Sequence, residues 1–447
     1  MSEAALTVTA ALVVAAFGSA PAGARQGSPF RLISTGHEGD VRFGPNGPGR
    51  HGPALSSVPA TVKTITVDTT PWTGYENAIY ASDDNTVFVA YKRFTEDPSG
   101  GGYVPAELRV AKSTDGGISW TIQVVDPDAI EQADTIDGSV SIDGDHGSTV
   151  FVAYHVRASG LFSDMKLRVA RSTDSGSTWT IGTVADGYAG NYNSIRVLDS
   201  SVAVISAHAA GADEGVHVYV TRNGGITWTD SLVEAGLGDG IYTSVGATSL
   251  RTVAVGWYNS LYPEHTDLNA GWHARGASWK TMTVDGVPGD SDLTGLGAST
   301  WVASGPTVWI AYEADTSQGA FVRVAKLVVG IPGWTIVPVQ QGGTIGWNTA
   351  VHSVGTSNVY VSYWQVVGTK GDPMLAVSSD GGTTWSPFAI PDPRNTQPYL
   401  DSTVPSVTVQ YESYQTTDQL GHNPALRVAR IESGWHAGLA GDGHRFP

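Results

Sequence analysis

The chain has 447 residues, of which only 15% are charged, and its formal net charge is −17. That acidity argues against nucleic acid or an anionic membrane surface as a partner. With no cysteine at all, disulfides, thiolate metal sites and a thiol nucleophile are excluded.

Residues 1–24 read as an export signal. An apolar run from Ala4 to Phe17 is followed by small residues and by Ala22-Gly23-Ala24, which fits an A-x-A cleavage site. Glu3 stands where such signals carry a basic residue. The run is too short to span a bilayer comfortably, and no later stretch is long and apolar enough to do so. A secreted, extracellular protein is expected. Residues 25–58 are rich in Gly, Pro, Ser and Arg and read as a flexible linker. A repeating domain occupies 59–436, and 437–447 is a tail.

Within the domain an apolar strand ending in an aromatic residue recurs, followed after a loop by a strand of the LRVA type. The first kind stands at 87–91, 150–154, 202–206, 253–257, 308–312, 359–363 and 407–411. The second kind includes 108–113, 167–172, 216–221, 322–326, 374–379 and 426–430, with a remnant at 270–279. A period of roughly fifty residues with about four strands per unit predicts a β-propeller. The last repeat lacks a clear outer strand, and TVKTITVD at 61–68 resembles SWTIQVVD at 119–126, an outer strand of the first repeat. The prediction is all-β: a single propeller, seven blades of four antiparallel strands, the N-terminal strand closing the last blade. Closure removes open sheet edges. A short inner strand near Leu400–Val404 leaves six blades as the alternative.

One octapeptide occurs four times: STDGGISW at 113–120, STDSGSTW at 172–179, TRNGGITW at 221–228 and SSDGGTTW at 378–385. Asp115, Asp174 and Asp380 suit acceptors for the backbone N–H groups of a hairpin turn, and Asn223 replaces the acid in the third copy. Gly117, Gly176, Gly225 and Gly382 suit a positive φ. Trp120, Trp179, Trp228 and Trp385 offer apolar plates to a neighbouring blade.

The octapeptide resembles the Asp-box, or BNR repeat, of the sialidase-superfamily propellers. The resemblance covers about 60–436. It implies a propeller whose boxes lie on the face away from the ligand. It stops short of the sialidase catalytic set, an arginine triad with a Tyr–Glu pair and an Asp acid. Phe30-Arg31-Leu32-Ile33 only echoes the family's first arginine motif and lacks its proline. Sialidase activity itself is therefore not expected.

Propeller ligands bind where blade-to-blade loops converge at the mouth of the central channel, because loops carry function on a rigid scaffold. The residues following the first-kind strands should ring that mouth: Lys92, His155, Ala207, Tyr258, Glu313, Trp364 and Glu412. They differ from blade to blade, as functional residues in a structural repeat do. The blade-to-blade loops add Trp72, Tyr75, Glu76, Asp134, Asp137, Tyr188, Asn191, Tyr192, Asn193, Asp239, Tyr242, Asp290, Asp292, Trp347, Asn348, Tyr399 and Asp401. Aromatic plates with amides and carboxylates suit a glycan. Lys92, Tyr75, Tyr192, Asn193, Tyr242, Tyr258, Trp347, Trp364, Asp292 and Asp401 are the candidate substrate contacts.

Glycoside hydrolysis needs two carboxylates flanking one bond; Asp137, Glu313, Glu412, Asp292 and Asp401 are the candidate carboxylates, with Asp137, Glu313 and Glu412 put forward as catalytic. His155 with Lys92 and a tyrosine would instead suit proton abstraction in a polysaccharide lyase. A non-catalytic glycan-binding or scaffold propeller is the competing class. The repeated Arg109, Arg168, Arg323 and Arg427 read as structural. The alternating acids of Asp143-Gly144-Asp145-His146-Gly147 suggest calcium but read as a simple turn. No cofactor is expected.

Overall fold

A computed structural model describes residues 61–96, 103–129, 140–157, 164–187, 189–209, 213–236, 241–260, 266–274, 278–286, 291–303, 307–342, 345–367, 370–392, 394–417 and 424–432. The segments expected to be an export signal, a linker and a tail lie outside these residues.

Strand β1 (Thr61–Asp68) comes first and is used last. The next sheet is β2 (Thr73–Ala81), β3 (Val87–Glu96), β4 (Tyr103–Ser113) and β5 (Thr121–Asp126), each antiparallel to the one before. The same order repeats in β6 (Val140–Gly144), β7 (Val150–Arg157), β8 (Met165–Ser172) and β9 (Thr180–Asp186), and in β10 (Ala189–Val197), β11 (Ala203–Ala209), β12 (Gly215–Thr221) and β13 (Thr229–Ala235). An eight-stranded sheet follows. It holds β14 (Ile241–Ser249), β15 (Thr252–Ser260), β16 (Thr266–Ala274) and β17 (Lys280–Asp285), then β18 (Leu293–Ala303), β19 (Thr307–Thr316), β20 (Gly319–Val328) and β21 (Thr335–Gly342). Among the described residues its two halves pair only where Thr266 lies parallel to Leu293. Next come β22 (Ile345–Val354), β23 (Asn358–Val367), β24 (Lys370–Ser378) and β25 (Ser386–Ala389). Finally β26 (Asn395–Thr403), β27 (Val409–Thr417) and β28 (Ala425–Glu432) take β1 as their outer strand.

The inner strands touch in succession, β2 to β6, β10, β14, β18, β22 and β26, and β26 returns to β2. The arrangement is thus a β-propeller of antiparallel sheets closed on itself. The ring is sealed by β1, whose residues from Thr61 to Asp68 pair with Glu432 back to Leu426.

Apolar side chains on both faces of each sheet form the core, as sheets buried on both sides require. Val87, Val89, Val150, Val152, Val253, Val255, Val359 and Val361 are all buried on second strands. A second, polar device fastens neighbouring sheets. Asp68 at the end of β1 accepts hydrogen bonds from Tyr91 Oη (2.7 Å) and Arg109 Nη1 (3.0 Å) of the next sheet. Asp126 does the same for Tyr154 and Arg168, and Asp285 for Tyr312 and Arg323. Asp392 takes Tyr414 and Arg427. The repeated arginines are therefore one third of a buried Asp–Tyr–Arg staple between sheets.

All four octapeptides form the same turn. Asp115 Oδ1 accepts from the N–H groups of Ile118 (3.1 Å) and Ser119 (2.9 Å), and Ser113 Oγ accepts from Gly117 N–H at 2.8 Å. Asp174 and Asp380 repeat the pattern. Asn223 preserves it: its Oδ1 accepts from Thr227 N–H, while its Nδ2 donates to Thr227 Oγ1 at 2.9 Å. Gly176 shows why glycine is needed, since its φ is 79° and a Cβ there would lie 2.8 Å from Phe88 of the preceding sheet.

Candidate functional site at the channel mouth

Six of the inner strands, all but β6, are irregular near their starts. Register shifts fall between Tyr75 and Ala78, Asn191 and Ser194, Ile241 and Ser244, Leu296 and Ser299, Gly346 and Ala350, and Thr396 and Leu400. Glu76 (φ 47°), Tyr192 (51°), Tyr242 (53°) and Asn348 (51°) adopt left-handed backbone at these bulges. Such strain at non-glycine residues collects at functional sites, and a bulge re-aims the side chain it carries. All four line a central cavity of about 260 Å³.

On one side of the mouth the cavity wall is aromatic. The Tyr192 and Tyr242 rings lie 4.7 Å apart, and Tyr242 stacks on Tyr258 at 5.9 Å and 21°. Tyr242 is 38% exposed, so the ladder meets solvent. Asn193, which also lines the cavity, donates to Gly190 O and accepts from Ser141 Oγ.

Below the mouth a belt of side chains ties adjacent inner strands together. Asp401 Oδ2 accepts from Ile79 N–H (3.0 Å), Ser194 Oγ from Val245, Ser244 Oγ from Thr300 and Ser299 Oγ from Val351. Deeper still, Asp143 Oδ2 accepts from Val197 N–H at 2.8 Å and pairs with Arg196 Nη1 at 3.4 Å. The Arg196 guanidinium lies over Trp301, 3.9 Å from the ring centre, and Trp301 packs 4.8 Å from His352. His352 Nε2 lies 2.6 Å from Ser402 O. Burial first, and then the Arg196 charge, push the imidazole down to about 3. It is therefore neutral at physiological pH, with its Nε2–H donated to the Ser402 carbonyl. Burial pushes Asp401 up to about 6. Burial also raises Asp143, against the opposing pull of Arg196.

Of the predicted contacts, Tyr192, Asn193, Tyr242 and Asp401 line the cavity and Tyr258 backs the ladder. The ring expected from the residues after each second strand is corrected. Lys92 is wholly buried, donating to His155 O at 2.9 Å and pairing with Glu76 Oε2 at 3.4 Å. His155 is buried, and desolvation holds its imidazole neutral, well below the ordinary range. Glu313 is buried beneath β22; a Cβ added at Gly346 would come within 2.6 Å of it. Trp364 is half-buried, with Nε1 donating to Thr396 O at 3.1 Å. The reason is common to all: the end of a second strand is covered by the inner strand of the next sheet.

Glu412 is misplaced for a further reason. Tyr414, not Tyr411, completes the staple of the last sheet, pairing with Arg427 and donating to Asp392. The equivalent of Lys92 is therefore Gln415, which donates to Thr73 O at 3.1 Å. Glu412 is fully buried and accepts from Ser362 Oγ at 2.6 Å. Burial pushes its carboxyl up to about 8. Asp292 lies outside the cavity lining, its Oδ1 accepting from Ser317 N–H. Asp134, Asp137, Tyr188, Asp239 and Asp290 fall outside the described residues, as do the side chains of Tyr75, Trp347 and Tyr399. The Asp143–Gly147 segment is a hairpin: Asp145 Oδ1 accepts from Gly147 and Thr149 while Asp143 turns inward. Among the described residues no group of three or more potential metal ligands gathers, and no helix is long and apolar enough to cross a membrane.

The sequence reading missed Asp143, Arg196 and His352. The signal was strand alternation: two steps of two from Tyr192 lead through Ser194 to Arg196, and all three line the cavity.

No family model matches the chain, and no curated protein matches it by sequence. The fold has many solved counterparts. A lectin from Burkholderia pseudomallei is 14% identical, with a TM-score of 0.56 over 81% of this chain and 97% of that one. An ulvan lyase, described as a new polysaccharide lyase family, is 11% identical, with a TM-score of 0.53 over 81% and 95%. Another polysaccharide lyase is 8% identical, with a TM-score of 0.52 over 83% and 99%. At such identities the likeness is one of fold.

Proposed function

We infer that this is a secreted, carbohydrate-active propeller of the Asp-box type that seats a glycan at the mouth of its channel. We count seven blades, reading the eight-stranded sheet as two joined by one parallel contact. The observation that carries the function is the ladder of Tyr192, Tyr242 and Tyr258, open to solvent at Tyr242 and facing a cavity edged by Asn193, Asn348 and Glu76. Sugars stack their C–H faces on such rings, and the surrounding amides and carboxylates suit their hydroxyls. That a lectin and two polysaccharide lyases share the fold supports a carbohydrate ligand by analogy alone.

Glycoside hydrolysis is the enzymatic form of this reading. It is favoured by the placing of Glu76, Asp143 and Asp401 on one cavity, with Asp401 raised to about 6, so that it takes up a proton in mildly acidic solution while remaining mostly ionised above neutrality. A raised acid beside an ionised carboxylate is the arrangement that acid–base cleavage uses. Lyase chemistry through His155 loses its support, because that imidazole is buried away from the cavity lining.

The test is a panel of oligosaccharides and polysaccharides, scored for binding and for new reducing ends. Binding without turnover assigns a lectin. Reducing ends that appear without the absorbance of an unsaturated uronate and vanish in Asp401→Asn assign a hydrolase. No binding to any member defeats the reading.

A further inference from the structure

The charge on the cavity wall is lopsided. Its described lining carries three carboxylates, Glu76, Asp143 and Asp401, and a single guanidinium, Arg196. His352 also lines it but is neutral. Arg196 is already engaged, paired with Asp143 and stacked on Trp301. Lys92 does not line the cavity and sits behind Glu76, which it partly neutralises. Asp401 differs from the other two acids. Among the described residues it makes no ion pair, and its carboxylate is held by the Ile79 N–H on the cavity wall. A cleft lined by one sign of charge concentrates ligands of the opposite sign and repels its own.

We propose that the channel selects a glycan bearing a free amine, an amino sugar whose ammonium pairs with Asp401, and turns away sugars bearing carboxylates. The proposal rests on the glycan reading above and sharpens it. Two independent features meet in it: an aromatic ladder, exposed at Tyr242, that fixes a sugar ring, and on the same cavity a wall of carboxylates whose only cation among the described lining residues is spent. A uronate or sialic acid entering here would meet Glu76 and Asp401 without an available guanidinium, the reverse of a site built for acidic sugars. The overall charge of −17 acts in the same direction at longer range.

The experiment is titration calorimetry of the full chain at pH 7.5 with glucosamine oligomers, their N-acetylated counterparts and oligogalacturonates of equal length. It is run at low and high salt, on the wild type, Asp401→Asn and Glu76→Gln. Glucosamine oligomers should bind at least about tenfold more tightly than the acetylated forms, oligogalacturonates should bind least, and added salt should shrink the difference. Asn at 401 retains an acceptor for Ile79 and should bring the amine and acetylated forms within about twofold of each other. A folding check by melting temperature accompanies each variant, and Glu76→Gln supplies an independent loss of wall charge if Asp401→Asn does not fold. Equal affinity for amine and acetylated oligomers, or tightest binding of oligogalacturonates, overturns the charge selection while leaving the glycan site standing. Silence towards all three probes overturns the proposal, and the wider panel then shows whether the glycan reading falls with it.

Discussion

Lys92 Nζ lies 3.4 Å from Glu76 Oε2, with the two side chains 0% and 5% exposed. The pair links the rear of one sheet to the bulge that carries Glu76 into the cavity. A buried ion pair is weak evidence of net stability, but removing one partner strands the other charge. Lys92→Met should therefore destabilise by about 3–5 kcal/mol. Adding Glu76→Gln should recover much of that loss. Denaturant unfolding of the two variants checks this, and a single variant as stable as wild type would show the pair to be idle.

The Asp–Tyr–Arg staple makes a second stability prediction. Asp392 is buried and takes both Tyr414 Oη (2.8 Å) and Arg427 Nε (2.7 Å). Asp392→Ala should cost about 3–5 kcal/mol, because it leaves a buried guanidinium without its acid. Tyr414→Phe, which removes one hydroxyl, should cost only about 0.5–1.5 kcal/mol. Thermal melts of the two variants side by side check the ordering, which is the informative quantity. Equal losses would mean the arginine is satisfied by Thr64 and Thr66 alone, to which it also donates.

Glu412 makes stability depend on pH. Its folded pKa is raised to about 8 from an ordinary 4.5. The unfolded chain thus ionises first, and the native state is penalised progressively as pH rises from about 4.5 to about 8. The contribution is fully present below 4.5 and lost as pH rises through the folded value. Glu412→Gln should remove this slope and raise stability at pH 8 by a few kcal/mol, at about 1.4 kcal/mol per unit of pKa difference. Melting temperatures from pH 5 to 8.5 check it; parallel curves for wild type and variant would contradict it. Because Glu412 lies away from the cavity lining, glycan binding should be unchanged.

Tyr242→Ala should do the opposite. Its ring is partly exposed and forms the middle rung of the ladder, so folding should shift by less than about 1 kcal/mol. Glycan affinity should fall about tenfold or more, as for loss of an aromatic anchor. A binding isotherm unchanged from wild type would remove the ladder from the site.

Much of the fold was legible because repetition reports topology directly. The strands at 87–91, 150–154 and 308–312, the octapeptide turns and the pairing of 61–68 with the last repeat all follow from self-similarity. The site was legible only in part. Tyr192, Tyr242 and Asp401 were found because they sit near the starts of inner strands, where loops announce them. Lys92, His155 and Glu313 misled because departure from a repeat marks any position whose neighbour differs, and here the neighbour is the next sheet's inner strand rather than solvent. The last repeat misled for a local reason. Its strand holds Tyr411 and Tyr414, and only the partner Arg427 says which tyrosine occupies the repeated place. Arg196 could have been reached by alternation from Tyr192, whereas His352 stayed hidden because its strand's channel-facing side is set by the bulge before Ala350, a backbone property that no side chain advertises.

The pairing of Thr61 with Glu432 joins opposite ends of the domain in one ladder. No sheet but the last depends on it, so the earlier ones can assemble in order as the chain emerges. The final sheet must wait for its outer strand, held in reserve since the beginning, and contacts between such distant residues are the slowest to form. A chain interrupted anywhere before β28 is left with β1 unpaired and the ring unsealed. Closure of the ring therefore waits for β28, and the ladder between first strand and last acts as its clasp.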